Sequence, residues 1–496
     1  MKLKDIISGL KEAKVIGDIN IDISQVAYDS RSAGKNSVFV AVQGFKTDGA
    51  MYADEAIENG SVAVVLENGA DLKPNITKII VPNARIALAE ISAAFYDHPA
   101  RSLKMIGITG TNGKTTISYL VEAILKKAGY KVGVIGTVEA RIDGKSIPTK
   151  LTTPESPELQ EFLSEMLKQG VTHVAMEVSS HSLELYRTQG CEFDVAIYTN
   201  LTHDHLDFHG NMQDYFKAKL KLFEKLGKGH KKEVTGIINV DDPYGKRIMT
   251  YIDGNILTYG AVNNANMRAL NVQMDIEKMR FDIETFDGKF KVTTNLIGAY
   301  NAYNIMAAML CGKVFGIPFD MMKNAVEELK NIPGRFERVE AGQKFPVIVD
   351  FAHSPDSLTK LLETVKPLTK GKLILVFGCP GERDRIKRSI MGDIAARMAD
   401  FSIITTDDPH GEDPEQIIAE IEAGVVRAGG ELGKNYKKIE DRKVAIKEAI
   451  NMASDKDTVV LAGRGHEKFQ DYNGEKRPID DREVVREALK VPGKRV

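Results

Sequence analysis

The run Thr109-Gly110-Thr111-Asn112-Gly113-Lys114-Thr115-Thr116 has the residue types needed to hold a polyphosphate. Its glycines let backbone N–H groups approach phosphate oxygens. Lys114 supplies a full positive charge and Thr115 a hydroxyl for magnesium. An apolar stretch, Leu103 to Ile108, precedes the run. Ile117, Leu120, Val121, Ile124 and Leu125 follow it at the spacing of an amphipathic helix. Strand, glycine loop and helix in this order aim the positive end of the helix at the phosphates. The common form of the loop, G-x-x-x-x-G-K-[ST], asks for glycine where Ile108 stands, and Gly107 is one residue off. The sequence therefore supports ATP or GTP use through a variant loop. The bland alternative is a glycine-rich turn with a surface lysine.

Two further clusters follow apolar, strand-like runs. Asn200-Leu201-Thr202-His203-Asp204-His205-Leu206-Asp207-Phe208-His209 holds three of the chain's ten histidines, interleaved with two aspartates. Zinc would ask for a tetrahedral, histidine-rich set, whereas magnesium beside ATP takes one or two protein ligands plus phosphates and waters. Glu177-Val178-Ser179-Ser180-His181 offers a carboxylate at a second strand end. The bland alternatives are a polar loop with satisfied histidines for the first and a capping or solvated glutamate for the second. Asp214 to Lys225 reads as a helix whose Lys217, Lys219, Lys221 and Lys225 are, by themselves, a solvated face.

These groups need elements to position them. Residues 1–100 read as a small α/β unit with strands at 37–42, 62–66 and 78–81 and a helix at 86–96. Residues 101–332 begin with the phosphate loop. Buried-type strands at 132–136, 173–178, 194–198 and 236–240 alternate with helices, implying a mainly parallel sheet with helices on both faces. Residues 279–284 and 290–293, joined across Asp287-Gly288, read as an antiparallel ribbon, and a helix covers about 300–314. Asn331-Ile332-Pro333-Gly334 breaks the pattern. Residues 333–496 form a third, Rossmann-like unit with strands at 347–350, 373–377, 402–405 and 458–461. The expected class is α/β with three domains.

Composition narrows the function. The 67 basic and 69 acidic residues nearly cancel, which argues against a general nucleic-acid binder. The first residues lack an apolar signal region, and runs such as Val62 to Leu66 are too short to cross a bilayer. Cys191, Cys311 and Cys379 are odd in number and far apart, as expected of a reducing cytoplasm without a structural zinc site.

Taken in order, these motifs resemble the Mur ligases, ATP-dependent amide-forming enzymes of cell-wall precursor synthesis. The carriers are Tyr28-Asp29-Ser30-Arg31, the loop 110–116, Leu151-Thr152-Thr153-Pro154, Glu177–His181, Asn200–Gly210 and Pro333-Gly334-Arg335. Asp350-Phe351-Ala352-His353-Ser354-Pro355-Asp356, Gly378–Asp384 and Gly463-Arg464-Gly465-His466-Glu467 complete the set. The resemblance spans essentially the whole chain. It is nearest to the branch that adds a diamino acid to the D-glutamate of UDP-N-acetylmuramoyl-L-alanyl-D-glutamate.

The resemblance implies a role for each unit. The first would hold the UDP-sugar, the second ATP, and the third the amino acid. Tyr28, Ser30, Phe45, Lys46 and Thr47 would contact the nucleotide sugar, and Thr152, Thr153, Ser179 and Arg187 the muramoyl-peptide part. Leu151 and Leu185 depart from the asparagine and glutamine of some members. Gly110, Thr111, Asn112, Gly113, Lys114, Thr115 and Thr116 would bind ATP, with Asn301 and Asn304 near the adenine and Arg335 and Asp350 arriving on closure. Lys219 falls at the position of a lysine that carbon dioxide converts to a carbamate (N6-carboxylysine). With Thr115, Glu177 and His205 it would hold magnesium, and Lys114, Lys219 and His205 would be catalytic. Arg383, Asp407, Asp408, Pro409, His410, Gly463 and Glu467 would bind the amino acid.

Diaminopimelate-adding members carry Asp-Asn-Pro-Arg where this chain has Asp407-Asp408-Pro409-His410. A histidine is shorter than arginine and only partly charged near neutral pH, and Asp408 favours an ammonium group. Arg383, Gly463 and Glu467 nevertheless keep the diaminopimelate pattern. The favoured substrate is meso-diaminopimelate, with L-lysine or a related diamino acid as the alternative. More remote readings are a folylpolyglutamate synthetase-like ligase and a nucleotide-binding regulator without catalysis. The expected partners are small-molecule substrates, without nucleic acid or membrane insertion, and the expected state is a cytoplasmic monomer.

Overall fold

The structure, a computed structural model, describes residues 1–44, 47–68, 75–147, 149 and 151–490. Phe45 and Lys46, expected at the nucleotide sugar, lie outside the described residues. The chain is α/β with three domains, each built on its own sheet. The first sheet orders Lys14–Ile16, Thr77–Ile80, Ser61–Leu66, Ser37–Val40 and Gln25–Ala27, with only the Lys14–Ile16 edge antiparallel. The helix Ala84–Phe95 packs Ala84, Leu88 and Ile91 against it.

The central sheet has eleven strands, and Lys104–Thr109 lies at its heart. His173–Glu177 and Val195–Tyr198 flank that strand, both parallel to it. Parallel neighbours need long crossovers, and the helices Lys114–Lys127, Ser156–Lys168 and Met212–Glu224 lie on them. Side chains alternate between faces along each strand. Ile106, Ile108 and Ala175 join a core with Ile117, Leu120 and Ile124. Met105, Val174 and Met176 join another with Leu159, Leu163 and Phe216. Helices therefore cover both faces, which accounts for strands that are apolar throughout. The ribbon across Asp287-Gly288 is present as Met279–Thr285 against Gly288–Thr294, and it extends the same sheet through Met267–Met274.

The third sheet orders Glu337–Arg338, Val347–Asp350, Thr458–Ala462, Leu373–Phe377, Phe401–Ile404 and Tyr436–Lys438. Its Glu337–Arg338 edge is antiparallel and the rest parallel. A hairpin, Phe469–Tyr472 with Glu475–Pro478, follows the strand Thr458–Ala462. Among the described residues no helix is long and apolar enough to cross a membrane. All three cysteines are buried, and Cys379 packs its sulfur 3.7 Å from that of Met391, as apolar filler does.

Strand register sets the place of the chemistry. Glu177 pairs with Ile108, and Tyr198 pairs with Thr109. The phosphate loop, Glu177 and the loop after Tyr198 thus emerge side by side at the carboxyl ends of three parallel strands, the edge where open α/β sheets place ligands. Asp350 pairs with Ala462 in the third sheet, so the loops after these two strands also emerge together.

Candidate active site

The phosphate loop is held from behind by its neighbouring strand. Thr111 N–H donates to Asn200 O at 2.8 Å, and Asn112 N–H to Asn200 Oδ1 at 3.0 Å. Thr199 Oγ1 and Asn200 Nδ2 both donate to Asn112 O. Gly113 has φ +95°, and a Cβ there would meet Asn304 Oδ1 at 2.5 Å, so only glycine suits the turn into the helix. Lys114 Nζ donates to Gly110 O at 2.9 Å and Thr111 O at 2.8 Å. Lys219 Nζ donates to the same Gly110 oxygen at 2.9 Å.

A lysine that looks solvated in sequence is therefore almost wholly buried, with 1% exposure. Burial pulls the Lys219 ammonium well below its ordinary range, and the nearby Lys114 charge pulls the same way. A neutral amine is the form that reacts with carbon dioxide, and an anionic product would turn repulsion by Lys114 into attraction.

Thr115, Glu177 and His205 surround these lysines. Glu177 is 1% exposed, and among the described residues its carboxylate accepts only from neutral donors. These are Thr115 Oγ1 at 3.1 Å, Thr137 Oγ1 at 2.9 Å and Thr137 N–H at 3.0 Å. A buried carboxylate held by hydroxyl and amide donors, with no cationic donor among the described residues, suits a metal ion. Burial pulls the His205 imidazole well below its ordinary range, against the pull of Asp204, whose carboxylate lies 3.5 Å from Nε2, and the neutral ring is the form that ligates a metal. Its ring stands 4.9 Å from that of His181 and 6.2 Å from that of Tyr215. Tyr215 in turn lies 4.5 Å below Lys219 Nζ and 3.1 Å from Thr111 Oγ1. Oxygen and imidazole donors of this kind fit magnesium.

A cleft of about 740 Å³ opens beside the loop. Gly113, Asn301, Asn304, Arg335, Asp350 and Lys360 are among its walls. Asn304 Nδ2 donates to Asn301 Oδ1, and Asn301 Nδ2 to Ile297 O, which fixes both amides. Arg335 already reaches across from the third domain, with NH2 donating to Thr115 Oγ1 at 3.0 Å. Its guanidinium lies 4.6 Å over the Phe351 ring. Asp350 accepts the N–H groups of Phe336 and Ala352, and burial raises its carboxyl above the ordinary range.

The residues expected at the muramoyl-peptide converge beside Glu177. Thr153 Oγ1 donates to Glu177 O at 2.8 Å and accepts the Ser179 N–H at 3.2 Å. Arg187 NH1 donates to Thr153 O, and its Nε pairs with Glu155 at 2.8 Å. Thr152 Oγ1 is 3.2 Å from Thr137 Oγ1. Tyr28 joins this region by donating to Glu158 at 2.8 Å, while Ser30 Oγ donates to Glu55. Thr47 O accepts from Gly44 N–H.

Of the residues expected at the amino acid, Asp407, Asp408 and Glu467 meet around Arg464, whose side chain is 1% exposed. NH1 lies 3.2 Å from Asp407 and 2.7 Å from Asp408, and NH2 lies 3.3 Å from Glu467. The negative charge of Asp408 is thus shared with an arginine rather than left free for a ligand. Burial and the two aspartates push the Glu467 carboxyl up to about 8, against the pull of Arg464. Gly381 N–H donates to Asp408 O, and a Cβ at Gly381 would meet Pro409 O. Gly463 faces Asp407 in the same way, with 2.4 Å to its carboxylate from a built Cβ. His410 has φ +49° and is pinned by backbone bonds to Asp471 and Asn473, its ring 3.9 Å from the Asp471 carboxylate. The Arg383 charge bears on His181, while the His203 ring lies 3.6 Å from the Asp384 carboxylate.

Sequence reasoning missed Thr137, Arg464 as a hub, and Asp241. Thr137 had a usable signal, because it follows the strand Val132–Ile135 in the sheet of the phosphate loop. Asp241 lines the cleft and accepts from Tyr303 OH and three successive N–H groups, which hold its carboxyl at about 2.

Comparison with known proteins finds relatives along nearly the whole chain. Residues 22–96 match the Mur ligase family catalytic domain, 108–312 the Mur ligase middle domain, and 334–465 the Mur ligase glutamate ligase domain. A relative from Caldanaerobacter subterraneus subsp. tengcongensis is named UDP-N-acetylmuramoyl-L-alanyl-D-glutamate–2,6-diaminopimelate ligase. It is 42% identical over 489 residues, covering 99% of each chain. A Bacillus velezensis protein of the same name is 42% identical over 492 residues, again 99% of each chain. A solved structure with that name superposes at a TM-score of 0.69 with 31% identity, over 99% of this chain and 98% of the other. The MurF ligase of Thermotoga maritima, solved in complex with ADP, shares the fold at a TM-score of 0.63 and 19% identity, over 89% and 94% of the two chains. Such identity over the full length, with all three domains matched in order, establishes that the chain belongs to the Mur ligase family and is a ligase.

Proposed function

We propose that the enzyme joins a diamino acid, meso-diaminopimelate in preference to L-lysine, to the D-glutamate γ-carboxylate of UDP-N-acetylmuramoyl-L-alanyl-D-glutamate, using ATP. The observation that carries the reading is the meeting of Lys114, Thr115, Glu177, His205 and Lys219 around one loop, with Arg335 reaching in from the third domain. The relatives named for diaminopimelate support the choice of amino acid.

A carboxylate is a poor acyl donor because oxide is a poor leaving group. Transfer of the ATP γ-phosphoryl group to the γ-carboxylate gives an acyl phosphate and ADP. The neutral amine then attacks the acyl carbon, and phosphate leaves as the amide forms. Lys114 and the backbone N–H groups of residues 110–116 screen the two anionic reactants. Asn301 and Asn304 bound the adenine side of the cleft, and Arg335 and Asp350 complete it from the third domain. Thr115, Glu177, His205 and Lys219, the last as its carbamate, would hold magnesium, which when bound screens phosphate charge. Covering the site from both sides keeps water from the acyl phosphate.

In this reading residues 1–100 hold the UDP-sugar through Tyr28, Ser30, Phe45, Lys46 and Thr47. Residues 101–332 hold ATP and the muramoyl-peptide, the latter through Thr152, Thr153, Ser179 and Arg187. Residues 333–496 take the amino acid between Arg383, Asp407–His410, Gly463 and Glu467. The enzyme works as a cytoplasmic monomer. The test is competition: both diamino acids at equal concentration with the UDP-dipeptide and ATP, and products separated by mass. A product heavier by a diaminopimelate residue is expected to dominate. A product of lysine alone would overturn the choice of amino acid.

A further inference from the structure

Asp356 is a carboxylate that the chemistry above does not use. It lies in the first turn of the helix Pro355–Val365, whose N-cap is already satisfied by the reciprocal Ser354 and Ser357 pair. Capping therefore leaves its side chain unexplained. Instead Asp356 points across to the central domain. Its Oδ2 accepts from Asn112 Nδ2 at 2.9 Å and from Thr202 Oγ1 at 3.2 Å. Asn112 belongs to the phosphate loop, and Thr202 to the loop that carries His205. The same oxygen lies 2.8 Å from Lys360 Nζ, one turn along its own helix.

A free negative charge beside a polyphosphate loop would oppose ATP. Here Lys360 balances that charge, so the carboxylate serves as an acceptor without leaving an unpaired anion. Its two partners are themselves fixed: Asn112 by Thr199 and Asn200, and Thr202 by its N–H donating to Thr111 Oγ1 at 3.0 Å. One side chain of the third domain thus touches two loops of the central domain at their best-braced points. Arg335 supplies a separate contact between the same domains, at Thr115.

We propose that Asp356 is a positioning residue that fastens the third domain to the phosphate loop and the histidine loop, keeping Arg335 in register with Thr115. The proposal deepens the ligase reading, on which its turnover arm rests.

Hydrogen exchange on the full chain tests it directly, because that readout needs no substrate. Asp356→Ala is expected to raise exchange about tenfold in residues 110–117 and 199–210, as local opening becomes easier, with the interior of helix 355–365 unchanged. Asp356→Asn keeps an acceptor oxygen and falls between Ala and the parent. In turnover, Asp356→Ala lowers kcat about tenfold in the parent and by less in the Asn112→Ala background, where one of its two contacts is already gone. Parental exchange in both loops, or a change confined to helix 355–365, overturns the proposal. If the parent itself turns over no diamino acid, the ligase reading fails while the exchange result still decides the role of Asp356.

Discussion

Replacing Lys219 by methionine separates a chemical role from a structural one. Methionine keeps most of the apolar stem and removes the amine. Among the described residues the amine makes one hydrogen bond, to Gly110 O, and that oxygen keeps its second donor, Lys114 Nζ at 2.9 Å. No acceptor is orphaned, so the loss is one ordinary hydrogen bond of about 1 kcal/mol. Burial already disfavours the charged amine, so little attraction to the Tyr215 ring is lost and no buried charge remains to be paired. The expected fall in melting temperature is at most about 3 °C. Loss of an anionic magnesium ligand is a different matter. A drop in kcat of about a thousandfold, or about 4 kcal/mol of barrier, is expected. Phosphate release with all substrates present measures the second quantity, thermal unfolding the first, and added bicarbonate should restore nothing. Turnover within about fivefold of the parent would refute the carbamate role. A loss of activity matched by unfolding would show that Lys219 only supports the fold.

Three other substitutions probe the remaining parts of the site. Glu467 stays protonated up to about 8 in the folded enzyme, and a bound ammonium favours its ionised form. Thus kcat/KM for the diamino acid should rise with pH up to about 8, and Glu467→Gln should flatten that limb of the profile. His410→Arg should shift the product ratio toward diaminopimelate in a competition assay, and an unchanged ratio would show that this position does not read the distal group. Gly334 has φ +67°, and a Cβ there would meet His466 N at 2.2 Å. Gly334→Ala should therefore cost about 2 kcal/mol or more in thermal unfolding, and it should weaken the neighbouring Arg335 contact.

Local features were the most legible. The phosphate loop declares itself because its strand, glycines, lysine and helix are contiguous. The strand at 347–350 and that at 373–377 could be read residue for residue, since buried parallel strands are short apolar runs between turn signals. Strand order was not legible, because it depends on which crossover lands beside Lys104–Thr109. That order is what sets Glu177 beside Thr115. Lys219 shows the same limit. Three lysines share its helix and Lys225 follows it, and spacing alone cannot say which is buried against Gly110 O. The acidic cluster also misleads in sequence. Asp408 reads as a free negative charge, whereas Arg464, more than fifty residues later, neutralises it in space. The Asp356 contact joins residues 244 positions apart and has no local signature.

The central claim is that ATP is spent on forming an amide between a UDP-muramoyl dipeptide and a diamino acid. Release of inorganic phosphate with the dipeptide, ATP, magnesium and meso-diaminopimelate, and with each omitted in turn, tests it most directly. Sustained release is expected only when all four are present, with one amide formed per phosphate. Release that ignores the dipeptide, or none with any diamino acid, would contradict it.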